Sequence, residues 1–406
     1  MTDAPMVVVG TGVAGGSAAI AMRAAGYEGR IILIGDEPGA PISRPPLSKQ
    51  VLQGKLPADK ARLRPASFFA DRDVEIMGAT VERIDLARKR VVLADGEVVP
   101  FDRLLLATGG RARVLATDPD APVYTLRTIA DAVAIRERLA AGESLVVVGA
   151  GFIGAEVAAT ARSVSCDVTV LEAASQPMSR VLPPQIGEFF GDLHRGNGVS
   201  LLTDVGIDRI ANNGGRVRFD LADGQLLGAD FAVVGVGMVP NVELAADAGL
   251  EVSNGIVVDA ICRTSHPDVF AAGDVANAPN GLLGRRVRVE HWQNAQHQAA
   301  AAARNMLGAS EEFAEIPWVW TDQYGLNVQI AGDPSPDDDV HVTEALGTTP
   351  GVALFSRNGV ISGVLGVDSG DTVQAVRRLM ASGRQWPISE FSSSDLAARC
   401  AELESR

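Results

Sequence analysis

Two stretches of the chain share one order of apolar strand, glycine-rich turn, alanine-rich helix and second apolar strand. Residues 6–37 run from MVVV through GTGVAGG to IILIGDE. Residues 144–173 run from SLVVV through GAGFIG to VTVLEA. A buried strand, a G-x-G-x-x-G turn, a helix, a buried strand and a carboxylate form the β-α-β pattern that binds dinucleotides. The repeat therefore predicts two dinucleotide sites, which is what hydride transfer between two such cofactors needs.

Each glycine of the pattern has a steric reason. Gly10 permits the tight turn after the strand, Gly12 lets the backbone approach a pyrophosphate, and Gly15 lets the helix pack closely on the sheet. The N-terminus of the helix adds unpaired N–H groups and a partial positive charge for the phosphates. The second copy places the same glycines at Gly149, Gly151 and Gly154.

An acidic residue follows the second strand of each copy. It is Asp36 or Glu37 in the first copy and Glu172 in the second. A carboxylate at this position accepts hydrogen bonds from ribose hydroxyls and repels a 2′-phosphate. Glu172 therefore favours NADH over NADPH.

The pattern outside the two copies predicts further strands and a change of domain. Short strand runs follow each copy and close on the glycine-rich strands LLLATGG and GVGMVPN. The segment TSHPDVFAAGDVA reads as a strand ending in Gly-Asp before a helix, and residues 290–307 read as an alanine-rich helix. From about residue 316 the composition indicates an α+β C-terminal domain, in which Trp318 is expected to be a core aromatic.

Composition narrows the function classes. The chain has 406 residues and a formal net charge of −14, which argues against nucleic-acid binding. No apolar run is long enough to cross a membrane and no signal peptide is recognised at the start, so we expect no membrane association. The histidines show no metal-ligand spacing, so no metal is expected. The three cysteines are far apart and predict free thiols in a reducing cytoplasm: Cys166, Cys262 and Cys400.

Five further motifs occur in a fixed order around the two glycine patterns. They are RPPLSK (44–49), LLLATGG (104–110), GVGMVPN (235–241), FAAGDVA (270–276) and WTDQYG (320–325). In this order the chain resembles, over essentially its whole length, the FAD-dependent ferredoxin reductases that serve bacterial Rieske aromatic-ring dioxygenases. Relatives of that family serve heme monooxygenases, and apoptosis-inducing factor shares its blueprint.

The resemblance implies an α/β fold with two Rossmann-like dinucleotide-binding domains of the glutathione-reductase type, plus an α+β C-terminal domain. It implies an FAD-binding domain in residues 1–112 and 240–314, an NAD-binding domain in 113–239 and a C-terminal domain in 315–406. It also implies the reaction: NADH gives a hydride to FAD, which passes single electrons to a two-iron, two-sulfur ferredoxin. The ferredoxin would feed a dioxygenase or, alternatively, a heme monooxygenase.

The same resemblance implies roles for two charged residues. Lys49, at the end of the proline-rich loop, would lie beside the reactive nitrogen of the flavin, where a fixed cation favours the electron-rich ring. Glu156 would pair with that lysine near the nicotinamide. A buried pair of this kind is better evidence for a functional site than for stability.

Other residues are assigned to the two cofactors by their positions in the family motifs. The FAD side is expected to include Gly10, Gly12, Ala14, Gly15, Asp36, Glu37, Arg44, Val81, Arg127, Asp274, Glu290, His291, Trp292 and Trp320. Glu290, His291 and Trp292 would begin the alanine-rich helix and direct its N-terminus at the flavin. The NAD side is expected to include Gly149, Gly151, Phe152, Ile153, Gly154, Glu172, Arg180 and Gly237. One departure precedes RPPLSK, where Ile42-Ser43 replaces an aromatic-containing sequence.

Two other functions compete with this interpretation. A disulfide reductase or NADH peroxidase of the same fold needs a redox cysteine near the flavin, and no cysteine precedes Cys166. A non-catalytic flavoprotein like apoptosis-inducing factor is the second alternative. The oligomeric state, monomer or weak dimer, is left open by the sequence.

The expected partner requires a basic surface on an acidic protein. Small ferredoxins are usually acidic, so docking needs a local cluster of cations. Two arginine clusters are the candidates. The first is Arg285, Arg286 and Arg288, and the second is Arg377, Arg378 and Arg384.

Overall fold

The computed structural model describes residues 4–344, 346, 351–391 and 396–405. The chain forms two compact units. The first unit comprises Met1–Ser43, Arg62–Arg111 and Val239–Pro317. The second comprises Arg44–Ala61, Ala112–Met238 and Trp318–Arg406. The boundaries expected for the FAD, NAD and C-terminal domains stay predictions.

The strands are numbered in chain order. They are β1 (Met6–Val9), β2 (Ile31–Gly35), β3 (Val74–Gly78), β4 (Val81–Asp85), β5 (Arg90–Leu93), β6 (Val98–Pro100), β7 (Arg103–Leu106), β8 (Gly110–Ala112), β9 (Val123–Thr125), β10 (Leu145–Val148), β11 (Val168–Leu171), β12 (Ser200–Leu202), β13 (Ile207–Asn213), β14 (Arg216–Leu221), β15 (Leu226–Ala229), β16 (Phe231–Val234), β17 (Met238–Pro240), β18 (Ile256–Val257), β19 (Val269–Ala271), β20 (Ala276–Asn280), β21 (Arg285–Val287), β22 (Trp318–Gln323), β23 (Leu326–Gly332), β24 (Asp339–Glu344), β25 (Gly351–Arg357) and β26 (Val360–Val367).

The α-helices follow the same convention. They are α1 (Val13–Ala24), α2 (Ala66–Ala70), α3 (Ile129–Ala140), α4 (Phe152–Ser163), α5 (Pro184–Gly196), α6 (Glu243–Asp247), α7 (Trp292–Met306), α8 (Gly370–Ala381) and α9 (Leu396–Glu404). Shorter helical turns occur at Leu47–Val51, Ala58–Lys60 and Ile388–Phe391. Within the described residues, no helix is both long enough and apolar enough to cross a membrane.

The first unit is built on a parallel sheet in the order β19-β7-β1-β2-β3. All residues of the central strand β1 are buried, because α1 and α7 pack on one face of the sheet and residues of β4, β5 and β6 pack on the other. Helices α1 and α7 pack together, and alanines on both permit the close approach. The unit also contains the antiparallel sheet β4-β5-β6. It contains the mixed sheet β18-β20-β21 as well, in which β20 pairs parallel with β18 and antiparallel with β21.

The second unit repeats the parallel arrangement in the order β12-β11-β10-β16-β9. Strand β10 lies between β11 and β16, just as β1 lies between β2 and β7. Helix α3 begins with a capping box, in which the Thr128 hydroxyl accepts from Asp131 N–H and the Asp131 carboxylate accepts from Thr128 N–H. The two equivalent β-α-β units confirm the prediction of a duplicated Rossmann-like fold.

The C-terminal part of the second unit is an antiparallel sheet in the order β22-β23-β26-β25-β24. Helix α8 packs on this sheet and α9 packs on α8. Their apolar faces share a core with Trp386 and Phe391. This sheet with its helices agrees with the α+β domain that the sequence predicts.

Two local predictions are wrong. The end of the proline-rich loop is a helical turn, in which Val51 N–H donates to Pro46 O over 3.0 Å, because Pro46 already has a helical φ of −67° and Leu47 and Val51 are buried beneath it. The Gly-Asp segment is followed by the hairpin β20–β21 rather than by a helix. The Asn280 Oδ1 atom accepts from two N–H groups of the hairpin turn and stabilises that reversal.

Candidate active site

The first glycine loop, in the first unit, joins β1 to α1. Gly10 has a φ of +118°, and a Cβ there would lie 2.1 Å from the carbonyl oxygen of Ala107. A Cβ at Gly15 would lie 1.9 Å from the carbonyl oxygen of Gly10. Gly12 is the N-cap of α1 and has no side chain to occupy the helix N-terminus. The loop thus has the geometry that brings N–H groups to a pyrophosphate.

Other residues predicted for the FAD side also belong to the first unit. Asp36 is exposed and Glu37 half-buried, directly after β2. Val81 begins β4 and is buried. Ala14 lies beside Gly273, the residue before Asp274, where a Cβ would come within 2.9 Å of the Ala14 Cβ. The acidic residues that follow β2 and the close approach of Ala14 to Gly273 therefore belong to the same unit as the first glycine loop.

The start of α7 differs slightly from the prediction. The helix begins at Trp292 with His291 as its N-cap, and Glu290 lies before it. Burial lowers the pKa of the His291 imidazole to about 4, although Asp274 opposes the shift, so the ring is neutral at pH 7. The Trp292 Nε1–H donates to the Ser43 hydroxyl over 3.2 Å. Ser43, which occupies part of the departure from the family sequence, therefore contacts the first turn of this helix.

The second glycine loop, in the second unit, joins β10 to α4. A Cβ at Gly154 would lie 2.0 Å from the carbonyl oxygen of Gly149, and Gly149 has a φ of +96°. A Cβ at Gly151, the N-cap of α4, would meet no atom of the described residues within 4 Å apart from its own neighbours in the chain. Gly154 is therefore needed for packing, while Gly151 keeps space open beside the loop.

Glu172 lies at the end of β11 and closes this loop. Its Oε2 accepts from Ala150 N–H over 2.6 Å, and its Oε1 accepts from Ala174 N–H over 2.9 Å. The carboxylate is half-buried. Its position at the glycine turn is the one that the sequence predicts for the acid that reads a ribose.

The remaining residues predicted for the NAD side lie around the same loop or near β16. Phe152 and Ile153 form the first turn of α4, where Phe152 is half-buried and Ile153 is exposed. Gly237 follows β16 with a φ of +101°, and Arg180 Nη1 lies 3.8 Å from the place of a Cβ there. The structure therefore brings Arg180 and Gly237 together.

Lys49 and Glu156 form a buried ion pair within the second unit. Lys49 Nζ lies 3.0 Å from Glu156 Oε1, and both side chains are at most 10% exposed. Helix α4 is buried on all sides from Gly154 to Ala161, so its carboxylate needs compensating partners. The pair that the resemblance implies is therefore present in the folded chain.

Two hydroxyl groups that the sequence analysis missed complete the surroundings of Glu156. Ser48 Oγ donates to Glu156 Oε2 over 2.5 Å, and Thr321 Oγ1 donates to Glu156 Oε1 over 2.8 Å. Both residues are at most 2% exposed. Thr160 Oγ1 also donates to the Ser48 carbonyl oxygen over 2.8 Å, which ties α4 to the turn that carries Lys49. Both carboxylate oxygens of Glu156 are thus bound by donors.

Strand β22 supplies two further contacts to Lys49. Asp322 Oδ2 lies 3.5 Å from Lys49 Nζ, and its side chain is 44% exposed. The ammonium also lies 5.6 Å from the centre of the Trp320 ring, within the range of a cation–π interaction. Trp318 stacks on Trp320 with ring centroids 5.3 Å apart, and, although it is half-buried, it packs against the apolar core of the C-terminal sheet as expected. We call Lys49, Glu156, Ser48, Thr321, Asp322 and Trp320 the lysine cluster.

The two arginines predicted for the FAD side, Arg44 and Arg127, belong to the second unit. Arg44 Nε donates to the carbonyl oxygen of Arg127 over 3.1 Å. Arg127 N–H donates in turn to the Asp131 carboxylate at the start of α3. The structure therefore brings these two residues together, and their role at a cofactor stays a prediction, as do the roles of the other assigned residues.

The cysteines do not have the properties of a redox pair. Cys166, Cys262 and Cys400 are all free and buried. Burial raises the pKa of the thiols of Cys166 and Cys400 to about 11 and that of Cys262 to about 12. Thiol–disulfide chemistry requires an accessible thiolate. The disulfide-reductase alternative is therefore not supported.

The comparisons with known proteins agree with this geometry. A family model described as pyridine nucleotide-disulphide oxidoreductase matches residues 4–299, and one described as reductase C-terminal matches residues 318–399. The chain is 41% identical to the anthranilate 1,2-dioxygenase system ferredoxin–NAD(+) reductase component of Burkholderia cepacia, over 94% of this chain and 95% of the relative. It is 39% identical to rhodocoxin reductase of Rhodococcus erythropolis, over 96% of this chain and 92% of the relative.

A solved structure extends the agreement to the fold. The covalent putidaredoxin reductase–putidaredoxin complex superimposes with a TM-score of 0.94 at 33% identity, covering 100% of both chains. The resemblance on which the sequence interpretation depends is thereby confirmed. The chain belongs to the pyridine nucleotide-disulphide oxidoreductase family, among its ferredoxin–NAD(+) reductases.

Proposed function

We propose that the protein is an FAD-dependent NADH–ferredoxin reductase. The observation that carries the proposal is the buried Lys49–Glu156 pair, bound by Ser48 and Thr321, on a fold with two dinucleotide loops. A buried ion pair contributes little net stability, so this pair is better explained by chemistry than by folding. Each oxidised NADH supplies two electrons, so the balanced reaction reduces two ferredoxins and releases NAD+ and one proton.

The residues present fit both cofactors. The helix that follows each glycine loop has a glycine as its N-cap, Gly12 for α1 and Gly151 for α4. No side chain of the N-cap residue therefore covers the first N–H groups of either helix. This arrangement suits a pyrophosphate. We assign the first loop to FAD and the second to NADH, because Glu172 follows β11 at the position of the ribose-binding acid and repels a 2′-phosphate.

The lysine cluster supplies the electrostatic part of the mechanism. FAD, when bound, would supply the conversion between the two-electron chemistry of NADH and the one-electron chemistry of a ferredoxin. The Lys49 ammonium would stabilise added negative charge on a flavin ring held beside it, since a preorganised charge in a water-poor site needs no reorganisation during the reaction. Glu156 fixes the position of that ammonium, and the Ser48 and Thr321 hydroxyls fix the position of Glu156.

The direct test is a stopped-flow and turnover experiment on the flavin-loaded protein. We expect NADH to bleach the visible flavin absorption, and we expect one NADH to be consumed for every two molecules of a two-iron, two-sulfur ferredoxin reduced. Slow bleaching with a long-lived charge-transfer band, and no turnover with any such ferredoxin, would contradict the proposal. That result would favour a non-catalytic flavoprotein like apoptosis-inducing factor.

The ferredoxin is proposed to serve an aromatic-ring dioxygenase. This proposal follows the relative that is 41% identical, which is the reductase component of an anthranilate 1,2-dioxygenase system. Rhodocoxin reductase has a similar identity of 39%. Feeding a heme monooxygenase is the second candidate, because putidaredoxin reductase shares the fold at a TM-score of 0.94. Comparing turnover with ferredoxins from both kinds of system separates the two. We also propose a cytoplasmic location, because the three buried cysteines are free, as is usual in a reducing compartment.

Replacing Glu172 with serine is expected to relax the choice of coenzyme. Loss of the carboxylate removes its hydrogen bonds to a ribose and its repulsion of a 2′-phosphate, so the NADH/NADPH ratio of kcat/KM should fall about tenfold or more, equivalent to roughly 1.4 kcal/mol. Steady-state kinetics with both coenzymes measures the ratio. Asp223→Asn, which changes an exposed turn carboxylate of the same unit, is the control. An unchanged ratio in the Glu172 variant would argue against the assigned site.

The first arginine cluster forms a weaker basic surface than the sequence suggests. Arg286 is exposed, but its guanidinium donates to the carbonyl oxygens of Val258 and Asn277. The Arg288 side chain is only 11% exposed and forms an ion pair with Glu290. The docking patch stays a prediction, in which the Arg288 side chain is less exposed than Arg285 and Arg286. In the second cluster, Arg378 forms an ion pair with Glu404.

Arg285 is the position chosen for a docking test, because it is exposed on the edge strand β21, whereas the Arg288 side chain is only 11% exposed. We expect Arg285→Glu to raise the KM for an acidic ferredoxin several-fold at low ionic strength, and less at high salt, where charges are screened. Ferricyanide reduction should be unchanged. Arg83→Glu, on the separate sheet β4-β5-β6, controls for net charge. An equal effect of both variants would show that net charge, and not a docking patch, is responsible.

A further inference from the structure

The hairpin that carries half of the lysine cluster turns through an unfavourable residue. Strands β22 and β23 pair from Gln323 and Leu326 outward, so the turn consists of Tyr324 and Gly325. Both have positive φ, +54° and +85°. Two-residue turns of this kind favour Asn-Gly or Asp-Gly, because a bulky side chain is strained at positive φ.

The same sheet contains a matched turn with the favoured residues. Arg357 and Val360 are the last paired residues of β25 and β26 before the turn. The turn itself is Asn358-Gly359, with φ values of +54° and +76°. The two turns share backbone geometry but differ in the first residue. Some interaction of Tyr324 therefore offsets a strain that asparagine avoids, and such outliers concentrate at functional sites.

The partner of Tyr324 is a buried histidine of α5. Tyr324 Oη and His194 Nδ1 lie 2.6 Å apart, and the two rings meet edge to face with centroids 5.4 Å apart. His194 is 1% exposed, and burial lowers the pKa of its imidazole to about 4, so it is neutral at pH 7. Its Nε2 has no hydrogen-bond partner among the described residues. A buried imidazole is thus retained despite an unsatisfied atom.

The tip of the hairpin is continuous with the lysine cluster. Thr321, Asp322 and Trp320 precede Tyr324 on β22, and they contact Glu156 or Lys49. Tyr324 also packs against the apolar cluster that contains Leu47, in the helical turn of Lys49. A shift of the tip would therefore change the contacts of Glu156 and Lys49.

We propose that Tyr324 and His194 are positioning residues that fasten the β22–β23 hairpin to α5 and thereby hold Thr321 on Glu156 and Asp322 beside Lys49. The hydrogen bond fixes the end of the hairpin, and the strand transmits that position over the few residues to Thr321. The inference rests on the proposed function, since the cluster acts through a flavin.

The test compares variants that keep or remove the hydrogen bond. Tyr324→Phe keeps the ring and loses the hydroxyl; His194→Leu removes the partner, and His194→Asn returns a polar atom near the place of Nδ1. In Tyr324→Phe and His194→Leu we expect flavin reduction by NADH to slow about tenfold and the flavin midpoint potential to become more negative. His194→Asn should recover part of both. The potential is measured by chemical reduction without NADH.

Asn358→Tyr in the matched turn is the control for strain. It should lower the midpoint of thermal unfolding and leave the flavin potential and the reduction rate unchanged. If Tyr324→Phe and His194→Leu lower only the unfolding midpoint, the pair is structural and the inference is overturned. Wild-type flavin that NADH does not reduce would instead contradict the proposed function, and the chemically measured potentials would still decide on the positioning role.

Discussion

Replacing Lys49 with methionine is expected to lower the free energy of unfolding by about 3–5 kcal/mol. Methionine keeps much of the volume but leaves Glu156, which is only 4% exposed, as a buried charge without its nearest cation. The hydroxyls of Ser48 and Thr321 stay but carry no full charge. Chemical denaturation at saturating FAD measures the loss.

The same substitution is expected to slow flavin reduction by NADH about 100-fold, the scale seen when one preorganised electrostatic contact is removed. The double variant Lys49→Met/Glu156→Leu removes both charges from the site. It should recover most of the stability, because a buried ion pair can often be replaced by apolar residues without loss, while the slow reduction remains. If NADH reduced the flavin of the Lys49→Met variant at the wild-type rate, Lys49 would have no part in the chemistry. If the double variant were no more stable than the single one, the pair itself would be stabilising.

The duplicated fold could be predicted because its signals are local. In each copy the strand, the glycine turn and the helix are adjacent in sequence, and the reasons for Gly10 and Gly154 are contacts with the same loop or the neighbouring strand. The Lys49–Glu156 pair joins residues more than one hundred positions apart. It was accessible only through the family motifs, since no periodicity connects a proline-rich segment with a buried helix.

The missed residues show what such motifs leave out. Ser48 and Thr321 each lie next to a motif residue that was assigned, yet their role depends on which side chains of α4 face them. Their only local signal is a hydroxyl beside Lys49 and one beside Trp320. Tyr324 had a stronger signal, because Tyr-Gly stands between two alternating strands where Asn-Gly is expected. A residue that breaks a turn rule in this way indicates a tertiary contact.

The errors have a related cause. The sequence predicts a helix where the hairpin β20–β21 lies, because Gly-Asp is a common helix opening, whereas the Asn280 side chain closes a turn farther along the chain. The basic patch is predicted from three arginines that lie close together just before the alanine-rich helix. Charge on a surface depends on what each guanidinium already binds, and Arg288 is neutralised by Glu290.

The two glycines of the second loop are expected to fail in different ways when replaced with alanine. In Gly154→Ala the new Cβ would lie 2.0 Å from the carbonyl oxygen of Gly149, so α4 must move away from the loop. We expect a loss of about 1–3 kcal/mol in unfolding free energy, as for other overpacked sites, and a rise of about 100-fold in the Kd for NADH. Glu156 lies on the same helix, so flavin reduction at saturating NADH should also slow.

Gly151→Ala separates coenzyme binding from folding. Its Cβ would meet no described residue outside the immediate chain, and the backbone has an extended conformation that alanine adopts, with a φ of −78°. Unfolding free energy should change by no more than about 0.5 kcal/mol, whereas the Kd for NAD+ should rise at least tenfold, because the methyl group occupies the place where a pyrophosphate approaches the backbone. Denaturation and equilibrium titration of the oxidised protein with NAD+ measure the two effects. NAD+ and NADH binding that survived in Gly151→Ala at wild-type affinity would mean that the second loop does not hold the coenzyme, and the assignment of the two loops would have to be reversed or abandoned.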